Sequence, residues 1–167
     1  MHESKKQLGA ALSPLLKQHG YRKRALTWHK PYSDTILVFH AEKNRWGADA
    51  YTFHLGIYIT ALGSEATPPH YRCPVQVRLN RLVPDNSELE RASNFEDTSL
   101  DLADRLPRIV ELVASYALPW LAQHSTLPAL SALAQCDYDI LLPRIQVFRA
   151  AYDHLRELDR NASSETN

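Results

Sequence analysis

Apolar residues recur along the chain first at helical spacing, then at strand spacing, then at helical spacing again. Leu8, Leu12, Leu15, Leu16 and His19 fall at steps of three and four, which predicts a helix over residues 3–19, with Gly20 placed to end it in a left-handed turn. Ser13-Pro14 either kinks this helix or starts a second one. Alternation then takes over. "RALTWHK" sets Leu26 and Trp28 against Thr27 and His29, and "PYSD" reads as a turn. "TILVFHAEK" sets Leu37, Phe39 and Ala41 against Ile36, Val38, His40 and Glu42, and "YTFHLGIYI" sets Tyr51, Phe53, Leu55 and Ile57 against Thr52, His54, Gly56 and Tyr58. After a long connection, "TALGSEATPPHYRCP", the run "VQVRLNRL" places Val75, Val77 and Leu79 opposite Gln76, Arg78 and Asn80.

Residues 84–98 are polar and rich in turn formers, so a mobile loop is expected there. The remainder reads as helix, with one apolar stripe through Leu102, Leu106, Ile109, Val113, Tyr116 and Trp120 and another through Leu141, Ile145, Phe148, Tyr152 and Leu155. Prolines 107, 119, 128 and 143 divide it into several short helices. The expectation is an α+β fold: a four-stranded antiparallel meander packed by an N-terminal helix and several C-terminal helices. The helices would cover the face bearing Leu26, Trp28, Leu37, Phe39, Phe53, Leu55 and Val77. One domain spans residues 1–160, with helix and sheet in 1–83 and the helical part in 99–160, and residues 161–167 are expected as a disordered tail.

Composition narrows the class. Cys73 and Cys136 are far apart and belong to no CxxC or CxxH pattern, so neither a disulfide framework nor a zinc knuckle is signalled. No signal-peptide core or membrane span appears, and a cytoplasmic setting is expected. The net charge of zero conceals a split: residues 1–84 hold 12 Lys+Arg against 5 Asp+Glu, and residues 85–167 hold 7 against 14. Either the halves pack on each other and cancel, or a basic face is left for an acidic partner.

Candidate chemistry gathers on the second sheet face. If the hairpin around Trp46-Gly47 sets His40 opposite His54, then Glu42 lies opposite Thr52 and Val38 opposite Gly56, and Thr27, His29, His40, Glu42, Thr52, His54, Tyr58 and Arg78 share one surface. Imidazoles beside a carboxylate can bind zinc or act as a general base. They are also ordinary polar pairs on a half-exposed sheet, and no HExxH or CxxC spacing fixes a ligand geometry. GxxxxGK[ST], GxGxxG and GxSxG are all absent, so no catalytic residue, cofactor or bound metal is expected. Cys73, between Arg72 and Pro74, reads as a plain surface or edge cysteine in preference to a thiol activated by the neighbouring charge.

Taken together, "HGYRKRALTWHK", "ILVFHAEKNRWG", "YTFHLGIYI" and "VRLNRL" resemble the bacterial family catalogued as domain of unknown function 4304, over about residues 8–82. Gly20-Tyr21, His40 with Lys43, Trp46-Gly47, Phe53 to Gly56 and Arg78-Leu79 carry the resemblance. The family pattern favours glutamine near position 40 and asparagine near position 54, where this chain has histidine. The resemblance therefore implies no family-wide metal site and supplies no reaction.

The functional expectation is a non-enzymatic protein-binding module of regulatory or immunity type, contacting its partner through His29, His40, Glu42, Trp46, His54, Tyr58 and Arg78. The alternative is a small-molecule-binding protein or enzyme using the His/Glu/Arg face. Nucleic acid ranks last, because an RNA-binding sheet displays stacked aromatics and here Tyr58 alone qualifies.

Overall fold

The computed structural model describes residues 3–136 and 147–164. Helix α1 (Glu3–Gln18) buries Leu8, Leu12 and Leu16, one side chain per turn. It is a single helix that runs through Pro14. Gly20 (φ 85°) ends it in a Schellman turn, with Tyr21 N donating to Leu16 O (3.0 Å) and Gly20 N to Lys17 O (3.0 Å).

Five antiparallel strands follow in simple meander order: β1 (Arg22–Arg24), β2 (Thr27–Tyr32), β3 (Thr35–Lys43), β4 (Tyr51–Ile59) and β5 (Val75–Arg78). The expected meander is present with one more strand than its alternation signals. The segment expected as one strand, "RALTWHK", turns back on itself at Ala25, which adopts φ 56°, so that Arg24 pairs with Thr27 and Arg22 with His29. Pro31 and Tyr32, expected in a turn, pair with Ile36 and Thr35.

The apolar face is the one the alternation indicates. Leu26, Trp28, Leu37, Phe39, Phe53, Leu55 and Val77 are buried in one cluster with Leu8, Leu12 and Leu16 of α1 and with Ile109, Val113, Trp120 and Leu121. Trp28 and Phe39 pack tilted at 5.8 Å between ring centroids, and Phe39 stacks on Phe53 at 6.0 Å.

The carboxy-terminal part contributes α2 (Asn86–Ser93), α3 (Leu102–Leu112), α4 (Leu118–Gln123), α5 (Leu127–Cys136) and α6 (Val147–Ser164). Helix α2 occupies the stretch expected as a mobile loop. Its amino terminus is capped by Asp85, whose side chain accepts from Ser87 N and Glu88 N. Between α3 and α4, residues Val113–Ala117 widen into a π-helical turn just before Pro119. Pro119 has no N–H to donate to the preceding turn and its ring crowds that turn's carbonyl, so the wider turn lets one helical rod continue through it. Helix α6 buries Leu155 and runs through residues 161–164, part of the stretch expected as tail; residues 165–167, Leu141 and Ile145 lie outside the described residues. Among the described residues no helix is long and apolar enough to cross a membrane.

The expected contact between the charged halves takes another form. Lys23 reaches back to Gly9 O (2.9 Å) and Arg24 to Thr67 Oγ1 (3.0 Å). Lys43–Asp49, Arg45–Glu42 and Arg72–Glu65 pair within the basic half, and Arg108 pairs with Glu88 and Glu111 within the acidic one. The halves are joined instead by the shared apolar core and by hydrogen bonds, from Thr35 Oγ1 to Ser125 O (2.5 Å) and at the hairpin, where Phe95 N donates to Asp49 O (2.8 Å) and Asp49 N to Glu96 Oε1 (2.8 Å).

Candidate functional site

Strands β3 and β4 pair in the register that sets His40 opposite His54, Glu42 opposite Thr52 and Val38 opposite Gly56. The neighbouring pairings extend this into a row across four strands, Thr27, His40, His54 and Arg78, with His29, Val38, Gly56 and Gln76 forming the next row. Because side chains alternate with a period of two, every member of both rows projects from the face opposite the main core.

That face is roofed by the connection between β4 and β5. Residues 60–74 fold back over it through two 3₁₀ turns, Thr60–Leu62 and His70–Arg72. His29 Nε2 bonds Pro68 O at 2.9 Å, Gln76 Nε2 donates to Cys73 O at 2.7 Å, and Cys73 sits on Gly56. A Cβ at Gly56 would lie 2.7 Å from Cys73 Sγ and 2.9 Å from its Cβ, so the roof requires glycine there. Ile36, Val38, Tyr58 and Cys73 make a second small apolar cluster beneath it.

From this roof His70, which sequence patterning does not single out, stacks on His40 with ring centroids 4.4 Å apart and planes 12° from parallel, and lies equally close to His54, tilted by 32°. Thr27 Oγ1 fixes His40 through Nδ1 at 2.8 Å. Glu42 offers Oε1 to Arg45 at 3.0 Å, while its Oε2 lies 3.0 Å from His54 Nε2. Buried His54 Nε2 has this carboxylate as its charged neighbour and makes no well-formed hydrogen bond. One ligand atom each from Glu42, His54 and His70 lie within 4.8 Å of one another.

Electrostatics follow from burial. Loss of hydration, with His70 adding to it and Glu42 opposing it, lowers His40 to about 4. Burial likewise leads at His54, opposed by Glu42 and reinforced by Arg78 and His40, and brings it to about 4. Burial raises the Glu42 carboxyl, but His54, His70 and Arg45 outweigh it and hold the group below its ordinary value. His29 is lowered, again by burial first, against the Pro68 hydrogen bond that raises it. At neutral pH the sheet thus presents uncharged imidazoles beside a carboxylate.

A family model described as domain of unknown function (DUF4304) matches residues 12–123. The chain belongs to the DUF4304 family. No curated protein and no solved structure matches it significantly. The DUF4304 match runs from the middle of α1 to the end of α4, well beyond the segment carrying the sequence resemblance, and takes in the sheet, its roof and every candidate residue.

Of those candidates, His40, Glu42 and His54 converge. His29 and Tyr58 are buried, the first bonded to the roof and the second packed in the small apolar cluster, so neither is presented to a partner. Arg78 stands next to His54 in the row and lines a separate cavity of about 150 Å³ with Thr52, Asn86 and Glu90, smaller than the roughly 300 Å³ at which small-molecule sites begin. Trp46 projects from the hairpin tip, 94% exposed. Cys73 is neither a surface nor an activated thiol: it is buried on Gly56, and burial pushes the thiol far above its ordinary range despite the neighbouring Arg72. Gly56 was the one sequence signal for the roof, since a glycine inside a strand marks a close backbone approach.

Proposed function

We propose that this DUF4304 protein is a non-enzymatic protein-binding module of regulatory type that docks through the tip of the β3–β4 hairpin. The observation that carries the reading is Trp46, whose indole stands almost wholly in water on a turn built to hold it. Trp46 N donates to Asn44 Oδ1 at 2.9 Å, Asn44 N to Ala50 O at 2.8 Å, and Gly47 takes φ 108°. The base of the tip is tied down as well, with Ser4 Oγ donating to Asp49 Oδ1 at 2.8 Å and Lys43 pairing with Asp49 at 3.0 Å. A large apolar side chain held on an ordered turn loses little entropy on docking, and tryptophan and arginine are the residue types enriched among interface anchors. The tip cations Lys43 and Arg45 are already paired with Asp49 and Glu42, so the partner chemistry that fits is an apolar pocket for the indole.

The test is capture of a partner from the source cell with the purified chain as bait, followed by titration of Trp46→Ala. Loss of about 2 kcal/mol or more, roughly thirtyfold in affinity, is expected for a true anchor. Unchanged affinity with the fold intact would remove the tip from the interface. A second reading, a small ligand bound on the His/Glu/Arg face, is favoured by the convergence of His40, Glu42, His54 and His70.

A further inference from the structure

We propose that Glu42, His54 and His70 bind one divalent first-row transition ion of the zinc type, held between β3, β4 and the roof. Two imidazole nitrogens and one carboxylate oxygen form a ligand set that zinc and its neighbours accept, with further positions left for water or a donor from outside the protein. Tetrahedral ligands at 2.0–2.1 Å from zinc stand roughly 3.3 Å apart. Glu42 Oε2 and His54 Nε2, at 3.0 Å, are close to that spacing, and the full trio lies within 4.8 Å, so binding the ion requires only a small inward movement of the His70 ring.

His54 Nε2 supplies the independent observation. The side chain is buried, and its nitrogen makes no well-formed hydrogen bond although it stands 3.0 Å from the Glu42 carboxylate. A buried polar atom in that condition is costly unless something coordinates it. Neighbouring residues orient the ligands as outer partners of a metal site do: Arg45 holds the other Glu42 oxygen, and His40, fixed by Thr27, stacks against His70. Cys73 takes no part, since its thiol is seated on Gly56. The expectation of no bound metal rested on the lack of ligand spacing along one element. Here the spacing is made in three dimensions, by a histidine that the roof brings over the sheet.

The experiment is titration of the full chain, stripped with a chelator and dialysed, with Co²⁺ and then Zn²⁺. One Co²⁺ per chain is expected, with visible absorption of a low-coordinate site that Zn²⁺ displaces, and a rise in melting temperature on binding. His70→Gln and Glu42→Gln, both at partly exposed positions, should each weaken binding at least about tenfold and abolish the melting shift at limiting metal, while His19→Gln leaves both unchanged. Absence of stoichiometric binding, or equal affinity in the wild type and the two ligand variants with their unliganded melting temperatures preserved, would overturn the assignment. Neither result bears on docking through Trp46, which is read by partner affinity.

Discussion

On one face of the sheet Trp28, Phe39, Phe53 and Leu55 lie under helices from both ends of the chain, whereas His29, His40, His54 and Gly56 on the opposite face lie, among the described residues, under the segment 60–74. The first cover is a hydrophobic layer that buries whole side chains. The second is held by a few directed contacts, one cysteine on one glycine, and stacked imidazoles. A sheet face that carries polar groups can be covered only by a segment that satisfies them one at a time, and such a cover leaves titratable groups together in a sparsely hydrated space.

The contrast can be broken at both faces, and the largest effect belongs to the helix-covered one. Phe39→Ala removes a fully buried ring that touches Trp28 and Phe53 and should destabilise by about 3–5 kcal/mol in chemical denaturation. No substitution beneath the roof is expected to cost as much.

Acid sharpens the comparison on the other face. His40 and His54 sit at about 4 when folded and titrate near 6.5 when unfolded, so between these values the unfolded chain binds more protons. Stability of the metal-free protein is therefore complete above about pH 6.5 and falls as pH drops toward 4, by on the order of 2–3 kcal/mol once the two shifts, about 3 kcal/mol each unscreened, are discounted for partial exposure to solvent. Glu42, held below its ordinary value, adds loss in the same direction at the acid end. Denaturation midpoints across this range check it, and His40→Gln should flatten the slope.

Gly56→Ala should cost about 1–3 kcal/mol, because the new methyl meets Cys73 at 2.7 Å. Cys73→Ala should not fully rescue it, since the Cys73 Cβ itself stands 2.9 Å away. The smallest effect is Thr27→Val, which deletes the hydrogen bond to His40 at a cost of about 1 kcal/mol and frees the ring against which His70 stacks.

What was legible in the sequence follows the same division. Period-two alternation located β2, β3, β4 and β5, the pairing of His40 with His54, and the apolar face, because each depends on side chains that must be buried. It missed β1, whose three residues are all exposed cations and whose turn uses an alanine at positive φ rather than a glycine. It missed α2 because "NSELERAS" is nearly all polar, although Asp85 stood in the capping position. His70 was hidden for a different reason: residues 60–74 have no period, and only their fold in space brings an imidazole above the sheet.

Arg105 settles how the α2–α3 segment is held. Its buried guanidinium donates to the backbone carbonyls of Arg91 (2.6 Å), Ala92 (3.1 Å), Asn94, Asp97 and Leu100 (2.8 Å), and lies over the Phe95 ring. Every amino acid carries the same carbonyl, so this anchor is indifferent to the side chains of the segment it gathers, Phe95 excepted. Positions 94–96 in turn bond to Asp49 and Ala50 beside the Trp46 hairpin. A single buried arginine thus separates shape from identity: the backbone of the strip flanking the exposed tryptophan is held largely through groups that every residue carries, the Phe95 ring and the Glu96 carboxylate on Asp49 N excepted.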